Sequence, residues 1–279
     1  MIQKPIFITD LDHTFLRTDQ SVSNFSAKVW NSMNTHAILS IATARSFQKT
    51  REFLGKLELK APMILLDGSM IITPEKKLID LKLINKTLGD AIIHEGSQFD
   101  IYPFIITLNN KKTLEESFLF PSILNIHQDG VLENYRNDPR MLQCKNIQAR
   151  DMNLKLVYFG AYDTLYPLTQ HFQKTFGNVL EYKLSPEKYS DGWFLTILHP
   201  EGDKAHALHT VLAYLQCDTE NVTVFGDSIN DIGMFKLAGT SVAVSNALDE
   251  VKAVADIILN QSNDEDAVAT YLSHVYVKR

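Results

Sequence analysis

Short apolar runs that stop abruptly at a polar or acidic residue recur at both ends of this chain, and helical spacing follows each of them. Pro5 to Thr9 is compact, rich in β-branched residues and ends at Asp10. Phe25, Val29 and Met33 then recur every fourth position behind the capping-type residues Ser23 and Asn24. Ala37 to Ala42 predicts a second strand, Phe47 to Leu54 a second helix, and Met63 to Leu66 a third strand that stops at "DGS". The alternation returns near the C-terminal end. Leu208, Val211, Leu212 and Leu215 mark one helical face, "VTVF" reads as a buried strand, "IGMFKLAG" as a short helix ended by glycine, and "SVAV" and "DIILN" as two further strands. Short strands alternating with helices imply a parallel sheet covered on both faces, so both ends of the chain are expected to build one α/β domain.

The middle of the chain breaks this rhythm. "DIYPFIITLNN", "NLKLVYFGA", "NVLEYKLS" and "GWFLTILHP" are aromatic, more alternating segments separated by polar stretches, which predicts an inserted α+β module. The expected division is a discontinuous domain, 1–82 with 190–279, around an insert at 83–189. A length of 279 residues suits two such unequal units. The net charge of −6 supplies no basic footprint for nucleic acid, so an anionic ligand must be held by local charges or a metal. Cys144 and Cys217 form neither metal-ligand spacing nor a disulfide framework, and no apolar stretch is long enough to cross a bilayer. The expectation is a cytoplasmic protein with a small-molecule partner, no nucleic acid and no membrane; nothing in the sequence reads out an oligomeric state.

Asp10 and Asp12 follow the first strand directly. Alternate residues on a strand share a face, and open parallel sheets bind ligands beyond the carboxyl ends of their strands. Two carboxylates at one mouth repel each other, which a cation would relieve, and an oxygen-rich site suits Mg2+. Two solvated aspartates in a turn remain the bland alternative. "ILSIATARS" ends another strand at Thr43, whose hydroxyl, with Ala44 and the neighbouring amides at a helix start, could hold a phosphate. "EGDKAHAL" sets Lys204 at a helix start, where the helix dipole disfavours a cation; a phosphate would supply the counter-charge, and a surface pair with Glu201 or Asp203 is the alternative. "VTVFGDSINDIGMF" brings Asp227, Asn230 and Asp231 to another strand end behind a glycine that permits a tight turn.

"DLDHTFL", "IATARS", "GDKAHAL" and "GDSINDIGMF", in this order, resemble the four motifs of the haloacid dehalogenase superfamily of phosphotransferases. "AGTSVAVSNALDEVKAVADII" resembles the stretch after the fourth motif in its Cof-type (class IIB) sugar-phosphatase branch. The resemblance implies a Rossmann-like doubly wound parallel sheet core with an inserted α+β cap domain that closes over the site. It implies a Mg2+-dependent phosphatase of small phosphorylated metabolites, sugar phosphates above all. Asp10 matches the nucleophile that becomes an aspartyl-phosphate, and Asp12 the general acid/base. Thr43, Ala44 and Lys204 match the phosphoryl-binding groups. Asp10, the carbonyl of Asp12 and Asp227 match the metal ligands, supported by Asn230 and Asp231. Arg45 and His13 are possible substrate contacts.

The chain departs from the family pattern at three points. His13 and Ala44 stand where glycine is usual, and Asp67-Gly68 where Asn-Gly is common; if the usual glycine needs a positive φ, Ala44 carries strain. His206 and His209 read as a solvated helix face, the insert aromatics Tyr158, Phe159 and Trp193 as core, and Asn246 and Asp256 as structural. Two other functions stay open on the sequence: a phosphomutase or dedicated biosynthetic phosphatase of the same fold, and a non-catalytic phospho-acceptor or ligand-binding module.

Overall fold

The computed structural model describes residues 4–133, 135, 137–187 and 192–277. The chain divides into two compact units, Met1–Leu81 with Asp203–Arg279, and Lys82–Gly202. The expected boundary at 189/190 falls at residues outside the described set. The described segment after it, 192–202, belongs to the second unit, because its strand pairs with strands of that unit.

In the first unit the chain runs β1 (Ile6–Thr9), α1 (Asn24–Met33), β2 (Ile38–Ile41), α2 (Phe47–Phe53), β3 (Met63–Leu65), β4 (Met70–Ile72) and β5 (Leu78–Leu81). The second unit contributes α3 (Lys86–Ser97), β6 (Phe104–Asn110), β7 (Glu115–Pro121), α4 (Ile126–Glu133), β8 (Met141–Cys144), β9 (Asn153–Gly160), α5 (Tyr162–Phe176), β10 (Glu181–Pro186) and β11 (Trp193–Leu198). The first unit then resumes with α6 (Lys204–Leu215), β12 (Val222–Gly226), α7 (Ile232–Phe235), β13 (Thr240–Ala243), α8 (Asp249–Lys252), β14 (Ile257–Ile258) and α9 (Ala267–Val277).

The first unit is built on a parallel sheet of order β14-β13-β12-β1-β2. β1 and β12 are buried almost throughout, which is why their sequences are short unbroken apolar runs rather than alternating ones. Ser23 caps α1 by accepting the Ser26 amide. The buried face of α1 is Ala27, Trp30 and Met33, so of the expected line Phe25, Val29 and Met33 only the last is buried; positions four apart drift round a helix of about 3.6 residues per turn, and Phe25 ends on the exposed side while Trp30 packs against Phe15. The third strand also differs from expectation. β3 touches the parallel sheet only through an Ala42–Ile64 bridge and pairs antiparallel with β4, which pairs with β5. A three-residue fully buried run reads alike in either kind of sheet.

The second unit is a six-stranded sheet of order β10-β11-β9-β6-β7-β8, antiparallel except between β7 and β8. Ile105, Leu156, Tyr158, Leu195 and Ile197 form its buried face with Ile92 of α3 and Leu165, Leu168 and Phe172 of α5. The Tyr158 hydroxyl donates to the Ile92 carbonyl at 3.0 Å, so this buried tyrosine is a satisfied core residue. Among the described residues no helix is long and apolar enough to cross a membrane.

Candidate active site

Three strand ends of the first unit carry acidic residues to one place. Asp10 follows β1, Asp227 follows β12, and Asp67 follows the end of β3. Asp10, Asp227 and Asp231 are all buried, and each brings a carboxylate oxygen within 4.8 Å of the others. Lys204 enters from the first turn of α6, whose N-cap Asp203 accepts the His206 amide. It is fully buried, and its Nζ donates to Asp10 Oδ1 at 2.6 Å and to Asp231 Oδ1 at 2.8 Å. The surface pairing considered for it does not occur: Glu201 pairs with Lys82 instead.

Asp231 is committed twice over. While Oδ1 accepts Lys204, Oδ2 accepts the amides of Asp227 and Ser228 at 3.0 and 3.1 Å. This side chain therefore orients Lys204 and folds the turn that carries Asp227. The glycine before that turn serves close approach rather than a special φ: a Cβ on Gly226 would lie 2.6 Å from Asp231 Cβ, Cγ and Oδ2. Asp10 gives one oxygen to Lys204 and keeps the other, and Asp227 Oδ1 accepts the Thr14 hydroxyl at 2.8 Å.

The charges do not balance internally. Burial pushes the Asp10 carboxyl well above its usual range; Lys204 pulls it back, and Asp231, Asp227 and Asp12 push it up again. Burial would lower Lys204, but Asp10, Asp231 and Asp67 together hold its ammonium well above the ordinary lysine range. Lys204 thus keeps its positive charge between two carboxylates, while Asp10 faces Asp227, Asp231 and Asp12 as well. Hard oxygen donors carrying excess negative charge at a buried site fit a divalent cation such as Mg2+. Asp10, Asp227 and Asp231 form the buried carboxylate group that could hold one.

The remaining expected residues lie around this centre with some changes of role. Asp12 is partly exposed and bound by Arg45, whose Nε donates to Asp12 Oδ2 at 2.7 Å and whose terminal nitrogen donates to Oδ1. Arg45 also lies over the Phe53 ring, 4.2 Å from its centroid, so its guanidinium is held by chain partners. Thr43 is buried, but α2 starts only after the cap Ser46; the Thr43 hydroxyl accepts the Arg45 amide at 3.1 Å within its own loop. Among the departures, His13 occupies the left-handed region at φ 56°, whereas Ala44 does not, so the strain expected at Ala44 sits at His13. The His13 carbonyl accepts Asn246 Nδ2 at 2.8 Å, and Asp256 accepts the amide and hydroxyl of Ser241. His206 and His209 lie on the exposed side of α6.

Asp67 and Thr14 are the site residues to which the sequence assigns no role. Asp67 is buried, and its Oδ1 accepts Asn230 Nδ2 at 2.9 Å. The signal for it was present: like Asp10 and Asp227, it ends an apolar strand run.

The family model described as haloacid dehalogenase-like hydrolase matches residues 7–272. A 5-amino-6-(5-phospho-D-ribitylamino)uracil phosphatase, YcsE, of Bacillus subtilis (strain 168) is 27% identical over 266 residues, covering 95% of this chain and 93% of its own. An HMP-PP phosphatase of Cronobacter sakazakii (strain ATCC BAA-894) is 23% identical over 267 residues, with the same shares covered. Among solved structures, the HAD subclass IIB sugar phosphatase BT4131 superposes with a TM-score of 0.76 at 14% identity, covering 98% of this chain and 100% of its own.

Proposed function

This chain belongs to the haloacid dehalogenase-like hydrolases, in their Cof-type branch, and is an enzyme of the phosphomonoester-hydrolase type; from that premise we propose that it is a Mg2+-dependent phosphatase of small phosphorylated metabolites, sugar phosphates in particular, working through an aspartyl-phosphate. The observation that carries the proposal is the state of Asp10: buried at the end of a central strand, one oxygen fixed by Lys204 and the other uncommitted. The proteins named above are named as phosphatases of a phosphorylated ribitylaminouracil and of HMP-PP and as a sugar phosphatase, which favours small phosphorylated metabolites as the substrate class here.

In this reading the uncommitted oxygen of Asp10 attacks phosphorus as the bond to the leaving oxygen breaks, and Asp12 donates the proton that oxygen needs. Water then attacks the phosphorus of the acyl phosphate, Asp12 takes its proton, and Asp10 is regenerated with release of inorganic phosphate. Lys204 neutralises an equatorial phosphoryl oxygen, and Thr43 with the Ala44 loop lines the same mouth. A bound Mg2+ on Asp10 and Asp227 would supply the remaining charge neutralisation. Asp12 rests on Arg45, which sets where its carboxyl starts from. The test is phosphate release from a panel of phosphorylated sugars and nucleotides, with Mg2+ and with EDTA. Release that requires the metal and falls at least ~10^3-fold in Asp10→Asn is expected; unchanged release in the variant would refute the proposal.

A further inference from the structure

The turn after β3 is the most contorted backbone in the first unit. Leu66, Asp67 and Gly68 take φ values of 52°, 63° and 121° in succession, and Leu66 carries a side chain that disfavours this region. The surroundings hold the turn in place. The Leu66 amide donates to the Arg45 carbonyl at 3.1 Å and the Asp67 amide to the Thr43 carbonyl at 3.0 Å, stitching the turn to the Thr43 loop. α6, which carries Lys204, packs against the same turn. The result aims a buried carboxylate at the site, where it accepts Asn230 Nδ2 at 2.9 Å, next in sequence to the Asp231 that holds Lys204.

Nothing in the reaction requires this carboxylate. Asp10 and Asp231 already hold Lys204, and Asn230 would be held equally well by an amide oxygen. What aspartate adds over asparagine is one negative charge, buried on a turn that packs against α6 and bonded to the neighbour of the Asp231 that holds the Lys204 ammonium. We propose that Asp67 is a positioning residue that acts through Lys204: its charge restrains the hold of this ammonium on phosphate, so that inorganic phosphate leaves the site readily. The inference rests on the phosphatase reading and deepens it, assigning to Asp67 control of product affinity.

Asp67→Asn is the informative variant. Asparagine tolerates the left-handed region and keeps an oxygen for Asn230, so the fold and the bond are retained while the charge is removed. Inorganic phosphate, titrated calorimetrically into the Mg2+-supplied protein, is expected to bind the variant roughly 3- to 10-fold more tightly than the wild type and to inhibit it correspondingly. Asn230→Ala breaks the bond but keeps the charge, and is expected to weaken phosphate binding. Unchanged or weaker binding in Asp67→Asn, at a melting temperature close to wild type, overturns the inference. Equal tightening in Asn230→Ala also overturns it, since loop placement rather than charge would then be responsible. Absence of Asp10-dependent hydrolysis in the wild type strikes the phosphatase reading first and takes this inference with it.

Discussion

Gly226 shows how little room the site leaves. The residue sits at the end of β12 with Asp231 folded back against it, so an alanine methyl has nowhere to go. Gly226→Ala is expected to cost about 1–3 kcal/mol through overpacking. It should also lower turnover, because Asp231 is the group displaced and Lys204 moves with it. Denaturant unfolding and kcat, measured on the same preparation, check both halves; a destabilised protein with normal kcat would mean that Asp231 keeps its place. The same logic separates the two residues that depart from the usual glycine. His13 adopts the left-handed conformation that the pattern implies and is held there through its carbonyl by Asn246, whereas Ala44 needs no such conformation.

At the level of elements, the segment leaving β1 is tied to the loop before α9. Asn263 Nδ2 donates to the Leu16 carbonyl, Arg17 pairs with Asp266 at 2.8 Å, and Thr18 donates from its amide and hydroxyl to Asp264. Those two bonds from Thr18 hold the Asp264 carboxyl below its ordinary range. A depressed carboxylate stabilises the fold above the unfolded value, about 3.9, and that contribution is lost as pH falls through the folded value. Stability is therefore expected to fall below about pH 4, and Asp264→Asn to flatten that part of the profile, as followed by thermal unfolding across pH. Much of this layer was legible in the sequence. Strand ends at Thr9, Ile41 and Gly226 and the helix starts at Asn24 and Lys204 follow local signals, namely abrupt apolar runs and capping residues. The antiparallel turn of β3 was not, because a fully buried run carries no mark of its neighbours. The inward aim of Asp67 was hidden for a related reason: three consecutive positive φ values are imposed by bonds to the Thr43 loop, not by the residues themselves.

For the molecule as a whole, the division into units is a division of continuity. The unit Lys82–Gly202 is a single stretch with its own apolar core, and the other is made of two distant stretches. An excised 82–202 fragment is expected to fold cooperatively, while 1–81 alone is expected to remain unfolded because β1 lacks β12; circular dichroism and proton NMR of the two fragments decide this. The strand order adds a consequence for the chain as it emerges from the ribosome. β1 is made before either of its neighbours, yet it lies between β2 and β12, and β12 begins only at Val222. The strand that leads to Asp10 must therefore keep one edge unpaired until Val222 has been made, by which point the intervening unit is complete. A chain that stops short of residue 204 has Asp10 but no Lys204 beside it, so the buried charge cluster of Asp10, Lys204 and Asp231 can close only after stretches almost two hundred positions apart have both been made.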